Sequence, residues 1–252
     1  MLQQFGFTQY ESQVYTSLIT VNQPLDATAI VKRSSVPRSK VYEVLQRLSD
    51  KGMILEATVE KKRLYTALPL ESVIEKLKAD FEENIEQLKK IEVEDVPLDD
   101  RIWSLKENQS IQSLIKELTE GAERSIYLSA WGDDLNQFLP ILEDKDRQGL
   151  DIHIHAIGEI ETSIKAVSTL IPDQHHNTLE RSRILIVDQR EMLFAGIEES
   201  SWQAIRTQSP PLVKFFTEFF YHDVALTKIT KRYKETIMKD EEIKDILLKL
   251  RY

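Results

Sequence analysis

Nine residues in two short stretches carry the clearest chemical signal in the sequence. Arg38, Ser39, Lys40, Tyr42, Gln46 and Arg47 share one segment, and Lys61, Lys62 and Arg63 form an unbroken cationic triplet. Cationic side chains neutralise phosphate and hydrogen-bond the acceptors of guanine, glutamine matches adenine, and hydroxyls reach either kind of atom. Any one of these residues alone is more simply a solvated surface group. Together they occupy the basic part of an acidic chain: residues 1–70 hold nine basic and six acidic side chains, a net of +3, against 24 and 36 in the remainder, a net of −12. The set points to double-stranded DNA as a partner and to two modules that meet different partners.

These groups act only if a rigid frame holds them outward. Thr8 and Glu11 form a capping box, and Tyr10, Val14, Tyr15, Leu18 and Ile19 follow at helical spacing, predicting a helix from Thr8 to Thr20. Asn22 and Pro24 break it. Asp26 is placed to cap a short second helix whose buried side is Ala27, Ile30 and Val31. Pro37 suits a first helical position, and Val41, Val44, Leu45 and Leu48 then form an apolar stripe that Gly52 ends. That stripe leaves the polar set outward, with Arg38, Ser39 and Lys40 in the first turn, the part of such a helix that meets base edges. Two strand-like runs, Met53 to Thr58 and Arg63 to Leu68, are joined by the charged tip Val59 to Lys62. Three helices and a hairpin make a winged helix-turn-helix, with one helix for the major groove and the hairpin cations for phosphate in a flanking groove.

The string Val36-Pro37-Arg38-Ser39-Lys40-Val41-Tyr42-Glu43-Val44-Leu45, continuing to Leu48 and Lys51-Gly52, resembles the recognition helix of TrmB-type transcriptional regulators. Phe5-Gly6-Phe7-Thr8, with Glu11 and Tyr15, is similar to that family's first helix, so the resemblance covers roughly residues 1–90. It implies DNA contacts by the residues already chosen on physical grounds. It also implies a sugar or related metabolite as effector at the C-terminal domain.

Beyond Pro69, the residues Leu70, Ile74, Leu77, Phe81, Leu88 and Ile91 fall on alternating steps of four and three, with Asn84 at the intervening position. Charged residues fill the rest of this helix, so its narrow stripe is best resolved by pairing with a second copy, or else by packing on its own C-terminal domain. A homodimer is expected, with Asn84 fixing register.

The acidic segment around Pro97 reads as a linker. After it, strands (Ile102 to Leu105, Ser125 to Trp131, Asp151 to Ile157, Arg183 to Asp188, Met192 to Gly196, Gln203 to Thr207) intersperse with helices at Ser110 to Gly121, Leu135 to Gln148 and from Pro211 onward. Arg181-Ser182-Arg183-Ile184-Leu185-Ile186-Val187-Asp188, followed by Gly196, resembles the phospholipase D superfamily motif His-x-Lys-x-x-x-x-Asp. That resemblance implies a phosphodiesterase, but Arg181 stands where the nucleophilic histidine should be, and a permanently protonated guanidinium cannot attack phosphorus. An anion-binding effector site of Arg181 and Arg183, with Asp188 orienting or neutralising them, stands against an ion-paired strand end.

His153 and His155 share a strand face, and His175 and His176 are adjacent, but no cysteine accompanies them and Glu159 and Glu161 read as loop solvation, so no metal is expected. Trp131, Trp202, Phe215, Phe216, Phe219, Phe220 and Tyr221 are core residues or a cleft lining. The 252 residues are 41% hydrophobic and lack cysteine, which excludes a disulfide scaffold, and the longest apolar run, Met192 to Ile197, is too short for a membrane span. No nucleotide-binding glycine loop, hydrolase elbow or zinc-protease motif occurs, and no cofactor is expected. The expectation is a cytoplasmic α+β protein with four parts: a winged helix-turn-helix (1–69), a dimerising coiled-coil helix (70–92), a linker (93–100) and a phospholipase D-like α/β effector domain (101–252). Its function is expected to be sequence-specific regulation of transcription, with a DNA-targeted phosphodiesterase or nuclease as the alternative.

Overall fold

A computed structural model of the chain describes residues 2–92, 100–171, 180–237 and 239–249. The fold is α+β, in two compact units, Met1–Glu94 and Asp95–Tyr252. Among the described residues no helix is long and apolar enough to cross a membrane.

The first unit opens with a 3-10 turn, Leu2–Phe5, and then α1 (Gln9–Val21), β1 (Leu25–Asp26), α2 (Ala27–Ser34), α3 (Arg38–Asp50), β2 (Ile54–Val59), β3 (Lys62–Ala67) and α4 (Leu70–Lys89). The capping box at α1 is present: Thr8 N donates to Glu11 Oε2 at 2.8 Å and Glu11 N to Thr8 Oγ1 at 3.2 Å. These bonds satisfy two of the donors that every helix start leaves open. Asp26 caps α2 by accepting from Ala29 N at 2.7 Å. Pro37 lies one residue before α3, at its N-cap, where its missing N–H costs nothing. Glu60 and Lys61 both have positive φ (48° and 65°), the backbone of a two-residue hairpin turn between Val59 and its partner Lys62. Val14, Leu18, Ile30, Val41, Leu45 and Leu48 meet in one core, which also buries Val73 in the first turn of α4.

The second unit contains β4 (Ile102–Lys106), α5 (Asn108–Gly121), β5 (Ser125–Trp131), α6 (Gly132–Leu135), α7 (Leu139–Arg147), β6 (Asp151–Ile157), β7 (Val167–Leu170), β8 (Ser182–Val187), β9 (Glu191–Glu198), β10 (Ser201–Thr207), α8 (Pro210–Ile237) and α9 (Glu241–Lys249). The strands form one mixed sheet in the order β4-β10-β9-β8-β5-β6-β7, with β5, β6 and β7 parallel and the remaining pairs antiparallel. One face carries Leu128, Ile154 and Leu185 against Ile111, Ile115 and Leu142 of α5 and α7. The other carries Tyr127, Ile184 and Ile186 against Val213 and Phe220 of α8. Because side chains alternate along a strand, Arg183 and Ile184 belong to opposite layers.

Three differences from the sequence expectation stand out. The helix expected over Leu135 to Gln148 begins only at Leu139, because a separate short helix, α6, ends at Leu135, the chain turns at Asn136–Phe138, and α7 starts with Pro140 in its first turn, the position where its ring is tolerated. The short strands β1 and β7 had no expectation, β7 because its Val-Ser-Thr-Leu run is too brief for a period to register, and the helix expected from Pro211 onward is two, α8 and α9.

Candidate functional site

Helix α3 is divided lengthwise. Val41, Val44, Leu45 and Leu48 are buried, while Arg38, Ser39, Lys40, Tyr42, Gln46 and Arg47 are all exposed, Tyr42 at 61%. An exposed tyrosine ring among cations on a packed helix is not explained by the core. Three of these side chains are organised by acidic neighbours: Lys40 Nζ lies 3.1 Å from Glu43 Oε2, Arg47, about one turn after Glu43, reaches its Oε1, and Gln46 donates to Asp50. The hydrogen bond and charge of Lys40, with the charge of Arg47, hold the Glu43 carboxyl below its ordinary range. Glu43 was not singled out from sequence, although its placement three residues after Lys40 and four before Arg47 is the spacing at which helix side chains meet. Lys61, Lys62 and Arg63 are exposed at the hairpin turn and first residues of β3.

A half-buried ion pair joins the residue that ends α3 to α1. The Glu11 carboxylate, only 2% exposed, accepts from Lys51 Nζ at 2.8 Å, and Lys51 also sits 4.5 Å over the Phe7 ring. Burial acts to raise the Glu11 pKa, but the bonds from Lys51 and Thr8 outweigh it and the net direction is down.

The helix expected over residues 70–92 ends at Lys89, so Ile91 lies beyond α4, and the stripe is split. Leu77 packs on the core, whereas Leu70, Ile74, Phe81, Leu88 and Ile91 are exposed, Phe81 at 66%, and Asn84 is exposed among them. Among the described residues of this unit, none buries that row.

In the second unit a cleft of about 580 Å3 lies on the α8 side of the sheet, lined by Ser129, His155, Arg181, Gln203, Phe219 and Asp223 among others. Only one member of the Arg181, Arg183 and Asp188 set reaches it. Arg181 forms ion pairs with Asp133 and with Asp134 (3.4 Å) and lies over the Trp131 ring. Arg183 points to the opposite layer and is 1% exposed, donating to Asn108 Oδ1 at 2.8 Å and Asp134 Oδ1 at 3.0 Å, with its guanidinium 3.8 Å from the Trp202 ring centre. Asp188 does not neutralise either arginine. Its carboxylate accepts from the backbone N–H groups of Glu123, Arg124 and Ser125, closing the loop before β5. The arginines are neutralised by Asp133 and Asp134, acids that an adjacent pair on a helix start gave no sequence reason to choose.

His155 is 2% exposed and both ring nitrogens are engaged, Nδ1 with Ser129 Oγ at 3.0 Å and Nε2 with Thr227 Oγ1 of α8 at 2.9 Å. Burial lowers its pKa to about 4, so it is neutral at pH 7. His153 instead meets Asp151 and stacks edge-on with Tyr127. His175 and His176 lie outside the described residues. Of the aromatics, Phe220 is core, Phe216 packs on Phe194, Tyr221 meets Tyr127, and Phe215 is exposed.

Three helices, a short strand and a hairpin, with a polar and cationic third helix facing out, define the first unit as a winged helix-turn-helix. Residues 2–71 match the family model described as "Sugar-specific transcriptional regulator TrmB". The chain is 29% identical over 261 residues to the uncharacterized protein YrhO of Bacillus subtilis (strain 168), covering 100% of this chain and 92% of the relative. It is 29% identical over 153 residues to the HTH-type sugar sensing transcriptional regulator TrmBL1 of Pyrococcus furiosus, covering 58% of this chain but only 43% of the relative's length. Among solved structures, it is similar to TrmBL2, an archaeal chromatin protein (TM-score 0.43, 20% identity, 88% of this chain and 94% of that one). It is also similar to the phospholipase D family member Nuc from Salmonella typhimurium (TM-score 0.35, 14% identity, 49% and 93%).

Proposed function

We propose that this chain is a homodimeric, sequence-specific DNA-binding regulator of transcription, acting in the cytoplasm and controlled by a small molecule, a sugar or related metabolite, at its second unit. The observation that carries the reading is the exposed Arg38, Ser39, Lys40, Tyr42, Gln46 and Arg47 face of α3, set opposite a buried stripe in a unit whose hairpin presents three further cations. Docked in a major groove, the first turn of α3 meets base edges and Lys61, Lys62 and Arg63 meet phosphate. The exposed row from Leu70 to Ile91 pairs two copies, so that two α3 helices address half-sites about 34 Å apart or a multiple of it. The α8-side cleft receives the effector, with Arg181 as its cationic contact. A ligand that binds one arrangement of the dimer better than the other shifts operator affinity by that difference.

Arg183 and Asp188 are assigned to structure rather than to the effector, because one is enclosed by Asn108, Asp134 and Trp202 and the other holds backbone amides. A phosphodiesterase reading lacks a nucleophile, since Arg181 stands in the histidine's place and is engaged by two carboxylates.

Footprinting on the DNA upstream of the protein's own coding sequence, with and without a metabolite panel, tests the whole. A protected site with two half-sites on one face of the duplex is expected. Affinity for every duplex no greater than that of an acidic control protein at physiological salt refutes DNA binding. Sedimentation as a monomer at micromolar concentration refutes the dimer, and turnover of a phosphodiester by the pure chain refutes the non-enzymatic reading.

A further inference from the structure

We infer that Glu43 is a base-reading residue of α3 and that it selects cytosine, so that each half-site of the operator contains a C·G pair facing it. The inference rests on the DNA-binding reading and adds to it a residue and a base.

Glu43 lies in the middle of the exposed face, one turn after Ser39 and Lys40 and one turn before Gln46 and Arg47. A bare carboxylate in that place would oppose docking on a polyanion. Here it is not bare: Oε2 is held by Lys40 at 3.1 Å and Oε1 by Arg47 at 2.7 Å, one cation on each oxygen and on opposite sides along the helix. The charge is thereby balanced twice over. Each oxygen still has acceptor capacity, because a carboxylate offers about four lone-pair sites and two are in use.

The choice of base follows from what an acceptor-only group can match. In the major groove, N–H donors are offered by adenine N6 and cytosine N4. Adenine places the N7 acceptor beside its donor, which repels a carboxylate, whereas cytosine's edge carries the N4 amino group with no N7 next to it. The guanine paired with that cytosine presents O6 and N7, which Lys40 or Arg47, already gathered at the carboxylate, are chemically suited to contact. The carboxylate and its two cations thus match a C·G pair as a unit: acceptor to cytosine, donor to guanine.

The test is selection from a randomised duplex pool by the full-length protein, followed by anisotropy titrations on the selected site, for the wild type, Glu43→Gln and Glu43→Asp. Wild type is expected to enrich cytosine at one position per half-site, and to lose about 5-fold or more in affinity when that C·G pair becomes A·T. Glu43→Gln, nearly isosteric and able to bond adenine N6 and N7, is expected to shift the preference at that one position to adenine. Glu43→Asp, which keeps the carboxylate, is expected to retain cytosine. Since Glu43 is exposed, an unchanged melting temperature for both variants is expected and shows that folding is intact. If Glu43→Gln selects the wild-type sequence and changes affinity for all duplexes alike, Glu43 only braces Lys40 and Arg47 and the inference is overturned while DNA reading stands. If the wild type enriches a sequence without that cytosine, the inference likewise falls alone; if it enriches no sequence, both fall together.

Discussion

Replacing Arg183 by methionine removes a charge from the interior of the second unit and leaves its partners behind. The guanidinium is 1% exposed, bonded to Asn108 and Asp134 at 2.8 and 3.0 Å and stacked on Trp202 at 3.8 Å, while the Asp134 side chain is 13% exposed. Removing one member of a buried pair costs about 3–5 kcal/mol, mostly because the other charge stays desolvated. Asp134 keeps Arg181 at 3.4 Å, which places the expected loss near the lower end, about 3 kcal/mol. For a domain of this size, each kcal/mol moves the melting temperature by about 2–4 °C, so a fall of about 6–12 °C is expected in the second unit's transition. Differential scanning calorimetry on the full chain measures it, and DNA affinity at 25 °C should be unchanged because the change lies outside the first unit. Adding Asp134→Leu to Arg183→Met should recover much of the loss, since the uncompensated carboxylate is then gone. A shift under about 2 °C for Arg183→Met would refute the reasoning, meaning that the guanidinium is not an enclosed structural ion and is available to a ligand after all.

Three further outcomes are expected. The folded pKa of His155, about 4, lies below its unfolded value of 6.5, so the unfolded chain binds the extra proton between those values. Stability is therefore full above pH 6.5 and declines as pH falls, by up to about 3 kcal/mol at pH 4; the urea midpoint should fall less steeply with pH in His155→Asn than in wild type, and equal dependence on pH would refute this. Glu11, whose pKa is lowered, stabilises the first unit above the ordinary carboxylate range and loses that contribution as pH drops through its folded pKa. Glu11→Gln should cost about 1–3 kcal/mol by thermal denaturation and couple to Lys51→Met in a double-mutant cycle; strict additivity would deny the pair. On DNA, Arg38→Ala should reduce base discrimination by about 1–3 kcal/mol if it meets guanine, whereas Lys62→Ala should weaken all duplexes alike and lower the salt slope by about one unit. Equal effects of both on every sequence would reverse the assignment of reading and holding.

Much of the first unit is legible locally. The Thr8 and Glu11 box, the Asp26 cap, the α3 stripe and the hairpin tip are each settled by residues three or four apart, and the structure places α1, α3 and the hairpin within a residue or two of their expected bounds. In the second unit, β5 and β6 span the very residues their apolar runs indicate. The side-chain partners there are another matter. Nothing near Arg183 in the chain names Asp134, 49 positions away, or Asn108, 75 away, and nothing near Asp188 names the amides of Arg124 and Ser125, 64 and 63 away.

Sequence by itself determined which segments coil or extend and which face of each is apolar, because capping, helical periodicity and strand alternation act over a single turn or pleat. Tertiary structure alone decided which charges meet. The sheet order β8-β5-β6 and the strand alternation within it set Arg183 among Asn108, Asp134 and Trp202, and His155 between Ser129 and Thr227, where burial holds the imidazole neutral at pH 7. Such pairings depend on register between distant strands, a quantity that no short window of the chain encodes.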